Sequence, residues 1–131
     1  MRAELEDIMS QVTIDTLEKL AFMFAFSDES GEDPPRDSTV AGSVSFTGPF
    51  SGTLIVMISI EVLQELAANM LGLDDGEEAT QDHQFDALKE TLNVICGNLL
   101  PAIAGDEVVF DINVPMVLPA DQEMKKGAGI P

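Results

Sequence analysis

Along the first two dozen residues, Leu5, Ile8, Met9, Val12, Leu17, Leu20 and Phe24 follow a helical period and keep to one face. The pattern predicts a first helix from about residue 3 to about residue 25. It gives way to SDESGEDPPRDS, a polar run whose adjacent Pro34 and Pro35 exclude helix. The period then changes to two. Val40, Gly42, Val44 and Phe46 fall on one side of an extended segment, and Leu54, Val56, Ile58 and Ile60 on one side of the next. With the turn TGPFSG between them, the two runs predict a β-hairpin.

Next comes EVLQELAANMLG, a short amphipathic helix with Val62, Leu63, Leu66, Met70 and Leu71 inward and Gly72 as its stop. LDDGEEATQDH is an acidic connector. A longer helix starts near residue 82 and buries the stripe Phe85, Leu88, Leu92, Ile95 and Leu99, with Pro101 expected to kink or end it. DEVVFDINVPMVL is a third strand candidate. The order helix, hairpin, helix, helix, strand predicts an α+β fold, an antiparallel β-sheet with helices packed on one face. Residues 1–118 form a single domain in this reading, and 119–131, too poor in apolar residues for a further element, form a C-terminal tail. Three strands leave two edges to protect, and sheet-to-sheet pairing in a homodimer would protect them.

Charge narrows the range of partners. With 24 acidic residues against 6 basic ones, the formal net charge is −18, which repels nucleic acid phosphates and anionic membranes. Partners with basic surface are favoured, although solubility alone also accounts for the excess. The single cysteine, Cys96, cannot form an intramolecular disulfide, and the acidic, periodic N-terminus is not a signal peptide. No apolar run reaches the roughly 18 residues of a membrane span. A soluble cytoplasmic protein is expected.

The long helix carries the candidate chemistry. Asp86, Glu90, Asn93 and Gly97 fall on a second stripe, about a third of a turn or more from the apolar seam. An acid and an amide thus sit one turn apart, beside a notch that lets a partner's backbone approach. Asn93 has no useful pKa, so it is neither base nor nucleophile, but an amide can hold a water with one donor and one acceptor. Glu90 has the wrong charge to face a phosphoryl group unless a partner supplies a cation. The pair therefore suits a helix inserted into another protein's phosphate site, whereas spacing alone favours solvated helix surface. Elsewhere, His83 among Asp74, Asp75, Glu77, Glu78 and Asp82 has neither calcium-loop nor zinc spacing and reads as a solvated connector. Cys96, near the apolar seam, reads as a buried inert thiol.

The pattern Asp/Ser-x-x-x-Glu-x-x-Asn, met by Asp86, Glu90 and Asn93, resembles the signature of the CheC/CheX/FliY chemotaxis phosphatases. ETLNVICGN is similar to its CheX version, and VSFTGPFSGTLIVMIS followed by EVLQELAANMLG resembles the hairpin and helix of the same family. The resemblance covers about residues 1 to 118. It implies an aspartyl-phosphate phosphatase acting on a phosphorylated CheY-like response regulator in bacterial two-component signalling. In that role Glu90 would salt-bridge a receiver lysine and Asn93 would orient the attacking water. Asp86 and Gly97 would meet the partner, and the receiver would supply the Mg²⁺, this chain bringing no cofactor of its own. The first helix offers Asp15 and Glu18 but no Asn in register, so a single site is expected, as in CheX. Pro115 stands within about a residue of the family's proline after the Asn. Two further strands would follow GAGIP, where this sequence stops, so either the chain is cut there or it is a trimmed member. The alternative is a catalytically silent CheX-like module that binds a receiver or dimerises.

Overall fold

A computed structural model describes residues 2–25, 39–74 and 77–119. Its elements are α1 (Arg2–Ala21), β1 (Thr39–Thr47), β2 (Gly52–Ser59), α2 (Ile60–Leu71), α3 (Gln81–Ala104), β3 (Asp111–Ile112) and β4 (Met116–Pro119). This is the expected α+β arrangement. β1 is central, with β2 antiparallel on one side and β3 and β4 antiparallel on the other. The hairpin register runs from Thr39 opposite Ser59 to Phe46 opposite Gly52.

The core forms where the inward positions of the hairpin meet the helices. Val40, Val44 and Leu54 from the strands join Leu63 and Leu66 of α2 and Leu88, Leu92, Ile95, Cys96, Leu99 and Leu100 of α3. Helix α3 sits close to the sheet because β1 has no side chain at Gly42. A Cβ there would lie 2.6 Å from Leu92 Cδ1 and 3.1 Å from Leu88 Cδ2. The tight seat turns one face of α3 into the core and leaves the other facing outward.

Several local expectations change. The first helix ends at Ala21, not near 25, because Phe22 turns left-handed at φ 55° and Met23 N–H reaches back to the Leu17 carbonyl at 3.2 Å. The Asn69 amide of α2 then caps that end by donating to the Ala21 carbonyl at 2.9 Å. Phe24, placed on the helical stripe by its spacing, is consequently exposed. Leu5 and Met9 also stay partly exposed, since α1 packs mainly through Ile8, Val12, Thr16, Leu17 and Ala21. Ile60 does not extend β2. It opens α2, whose first turn is capped by Ser59 Oγ accepting from Val62 N–H at 3.2 Å.

Helix α2 buries Leu63, Leu66 and Ala67, so Val62 and Leu71, expected inward, lie at the margins of its buried face and are exposed. Gly72 ends it as expected, at φ 69°, with Gly72 N–H on Asn69 O and Leu73 N–H on Ala68 O. Pro101 does not end α3, which continues one turn to Ala104. The third strand is split. Three residues, 113–115, span the distance covered by Val44 and Ser45 of β1 between the two paired segments. That extra residue is a bulge, and it contains the buried Pro115, which has no N–H to give to the ladder. The segment before Asp111 is not strand. The polar run at 27–38 lies outside the described residues, as does the tail after Pro119, which pairs with Val40 in β4 and so belongs to the sheet.

Candidate functional site

Helix α3 is started by Thr80, whose hydroxyl accepts from His83 N–H at 3.1 Å while Gln84 N–H bonds the Thr80 carbonyl at 2.9 Å. From there its two faces diverge. Ala87, Leu88, Thr91, Leu92, Ile95, Cys96, Leu99 and Leu100 are buried. The Thr91 hydroxyl, on this buried side, donates to the Ala87 carbonyl at 2.8 Å and reaches Met70 Sδ at 3.6 Å. Burial pushes the Cys96 thiol pKa up, which holds it in the unreactive protonated form.

Asp86, Glu90, Asn93 and Gly97 are all exposed on the opposite side. Among the described residues the side chains of Asp86, Glu90 and Asn93 have no hydrogen-bond or ion-pair partner. A Cβ added at Gly97 would have nothing within 4 Å. Glycine inside a helix is disfavoured by about 1 kcal/mol relative to Ala, and no contact among the described residues explains its presence. Pro101, four residues on, has no N–H for the Gly97 carbonyl, so the regular helical bond is missing on this same stripe.

The neighbouring helices flank the stripe. On one side, Met70 and Leu71 at the end of α2 join His83, Asp86, Ala87 and Glu90 around a groove of about 310 Å³. The sequence pattern gave Met70 and Leu71 to the core and His83 to the connector, so this wall was missed. The available signal was Gly72: a helix closing on a left-handed residue leaves its last side chain at the margin, and Leu71 is 48% exposed. Further along α3, Val94 and Asn98 face α1 across a separate groove of about 300 Å³ that includes Asp15, Thr16 and Lys19. Asp15 there accepts from Gln11 Nε2 at 2.8 Å. Among the described residues no group of three or more His, Cys, Asp and Glu is arranged to hold a metal ion, and no helix is long and apolar enough to cross a membrane.

The fold is similar to solved chemotaxis proteins. CheX from Vibrio vulnificus matches over 92% of this chain and 77% of its own, at 19% identity and a TM-score of 0.72. CheX from Desulfovibrio desulfuricans matches over 88% and 77%, at 20% identity and a TM-score of 0.70. The CheX–CheY–BeF3–Mg complex from Borrelia burgdorferi contains a chain matching over 87% and 75%, at 21% identity and a TM-score of 0.67. At such identities the likeness establishes the fold. No curated protein matches the chain at a significant level. The model of the family described as chemotaxis phosphatase CheX matches residues 40–128, which include both strands of the hairpin, α2 and all of α3. The chain belongs to the CheX family.

Proposed function

We propose that the chain hydrolyses the aspartyl phosphate of a CheY-like response regulator, using Asn93 and Glu90. The observation that carries this reading is an acid and an amide one turn apart on an exposed helical line, neither engaged by the chain itself, in a member of the CheX family. The CheX–CheY complex of Borrelia burgdorferi supports a receiver as the partner.

In this mechanism Asn93 Oδ1 accepts a hydrogen bond from a water and Nδ2 donates to a phosphoryl oxygen, which together hold the water in line. The water oxygen attacks phosphorus. The bond from phosphorus to the aspartyl oxygen breaks, its electron pair stays on the receiver's carboxylate, and the water's protons go to phosphate and solvent. Glu90 pairs with a receiver lysine, which anchors the helix and offsets a carboxylate beside a phosphoryl group. Asp86 and Gly97 face the partner, the latter leaving room for backbone to approach. Mg²⁺ belongs to the receiver and neutralises phosphoryl charge there. The setting we infer is chemotaxis signalling in a bacterial cytoplasm.

The test is the decay of phosphorylated receiver with the parental chain and with Asn93→Ala. The parent should accelerate decay, and Asn93→Ala should lose on the order of 10²-fold in rate. Unchanged turnover by Asn93→Ala would overturn the mechanism. Binding without accelerated decay by the parent would identify a silent receiver-binding module.

We infer also that two copies pair through the sheet. β2 is an edge strand among the described residues, and Ile55 and Met57 on it, with Met116 of β4 across β1, are exposed on the face away from the core. The charge of −18 opposes this association, and at 1 M salt the Debye length falls to roughly 3 Å. Sedimentation should show a homodimer that tightens with salt.

A further inference from the structure

Beside the Glu90–Asn93 pair lies a groove whose α2 wall the proposed chemistry leaves unused. Its walls are Met70 and Leu71 from the end of α2 and His83, Asp86, Ala87 and Glu90 from the first turns of α3. Around α3, at 3.6 residues per turn, Ala87 and Asn93 are separated by about 120°, with Glu90 between them. The apolar side of the groove therefore lies beyond Glu90, and Asp86 joins it from the line of Asn93, roughly 10 Å nearer the start of α3.

Its chemistry is amphipathic and anionic. Leu71 offers exposed hydrocarbon beside the half-buried thioether of Met70, whose sulfur is held by the Thr91 hydroxyl at 3.6 Å. Asp86 and Glu90 contribute two carboxylates with no ion-pair partner among the described residues. Among the described residues no lysine or arginine lines the groove. The negative end of α2 and the positive end of α3 both open near the groove and offset each other, so the two carboxylates set its sign. An apolar strip running to two unpaired carboxylates matches a long side chain with a methylene stem and a cationic tip.

We propose that this α2–α3 groove is a second docking slot for the receiver, taking a basic side chain distinct from the lysine paired with Glu90. The stem lies on Met70 and Leu71 and the cationic group at Asp86. The inference rests on the receiver reading of α3 and adds to it a site that governs which receiver is selected without touching the phosphoryl group. Selection by such a slot is felt in affinity, since the contacts are the same before and during hydrolysis.

Affinity for a CheY-type receiver loaded with beryllofluoride and Mg²⁺, together with KM and kcat on the phosphorylated receiver, tests the slot. Leu71→Ser should weaken binding and raise KM by about 5- to 20-fold while kcat is retained, the range of one lost apolar contact. Leu71→Met should restore affinity, because it keeps an apolar surface for the stem. Asp86→Asn should also weaken binding and should flatten its salt dependence, as expected for loss of one charge contact. Far-ultraviolet circular dichroism and thermal melting should match the parent, given that Leu71 and Asp86 are exposed. Parental affinity in both Leu71→Ser and Asp86→Asn, with Asn93→Ala still inactive, would overturn the slot and leave the proposed function standing. A parental chain that neither binds nor dephosphorylates the receiver would overturn both. A fall in kcat with unchanged KM in Leu71→Ser would also overturn the slot, since that pattern belongs to a distorted catalytic helix.

Discussion

Leu92 and Asn93 are adjacent in sequence and belong to opposite surfaces of one helix. Leu92 is fully buried, packed over Gly42 of β1, whereas Asn93 is exposed and touches no hydrogen-bonding partner among the described residues. Two glycines repeat the contrast. Gly42 is enforced from within, because a Cβ there meets Leu92 and Leu88, while Gly97 has open space around it. On the buried face, each residue type follows from contacts inside the chain. On the exposed face an unpartnered amide and a mid-helix glycine both lower helix stability, and nothing among the described residues offsets them. A composition that the fold does not require points outward, to a partner that does.

Substitutions at these paired positions separate the two faces. The largest effect belongs to Leu92→Ala, which leaves a hole between α3 and the sheet and should destabilise the fold by about 2–5 kcal/mol. Denaturant unfolding measures that loss. Its neighbour Asn93→Ala should unfold within about 0.5 kcal/mol of the parent, as surface substitutions do, while losing turnover. If the two variants lost stability alike, the division of α3 into a structural and a functional face would be wrong.

Glu90→Lys sharpens the outer face itself. It places a positive charge where a receiver lysine is to dock, and like charges facing each other at an interface cost several kcal/mol. Binding to a beryllofluoride-loaded receiver should fall by about a hundredfold or more, the lower end of that range. Titration should show a larger loss of affinity than Asn93→Ala gives, because the amide orients water and the carboxylate holds the partner. Equal affinity for Glu90→Lys and the parent would remove Glu90 from the interface.

The same contrast explains what could be read from the sequence. The hairpin, both later helices and the exposed stripe of α3 were legible because alternation and helical period report directly on which side is buried. Val40, Val44 and Leu54 are in the core where period two puts them, and Leu88, Leu92, Ile95 and Leu99 where period 3.6 puts them. The misreadings fall where position along an element outweighs its period. Phe24 kept the helical spacing, but Phe22 adopts a left-handed conformation uncommon for a residue with a side chain, and no local signal announces it. Leu71 has the hydrophobicity of a core residue and lies on the last turn, where the neighbouring helix no longer covers it. The third strand read as continuous because apolar alternation does not reveal a bulge, although Pro115 marked the place where the ladder breaks. The α2–α3 groove was hidden for a related reason. It joins residues from two helices, and helical periodicity describes each helix alone.

The smallest effects come from the glycines, and their signs should differ. Gly42→Ala drives a methyl into Leu92 and Leu88, both fully buried, so the core must shift, at about 1–3 kcal/mol. Gly97→Ala meets nothing, and Gly97 is not among the described glycines with positive φ, so the substitution should stabilise α3 by about 0.5–1 kcal/mol. Thermal melting should therefore move down for the first and up for the second. The receiver assay should show the reverse dissociation in the outer residue: a methyl at Gly97 fills the space left for the partner's backbone, so KM should rise although the protein is more stable. A stabilised Gly97→Ala chain with parental KM would mean that the notch is empty in the complex, and the partner would then be confined to the Asp86–Glu90–Asn93 part of the stripe.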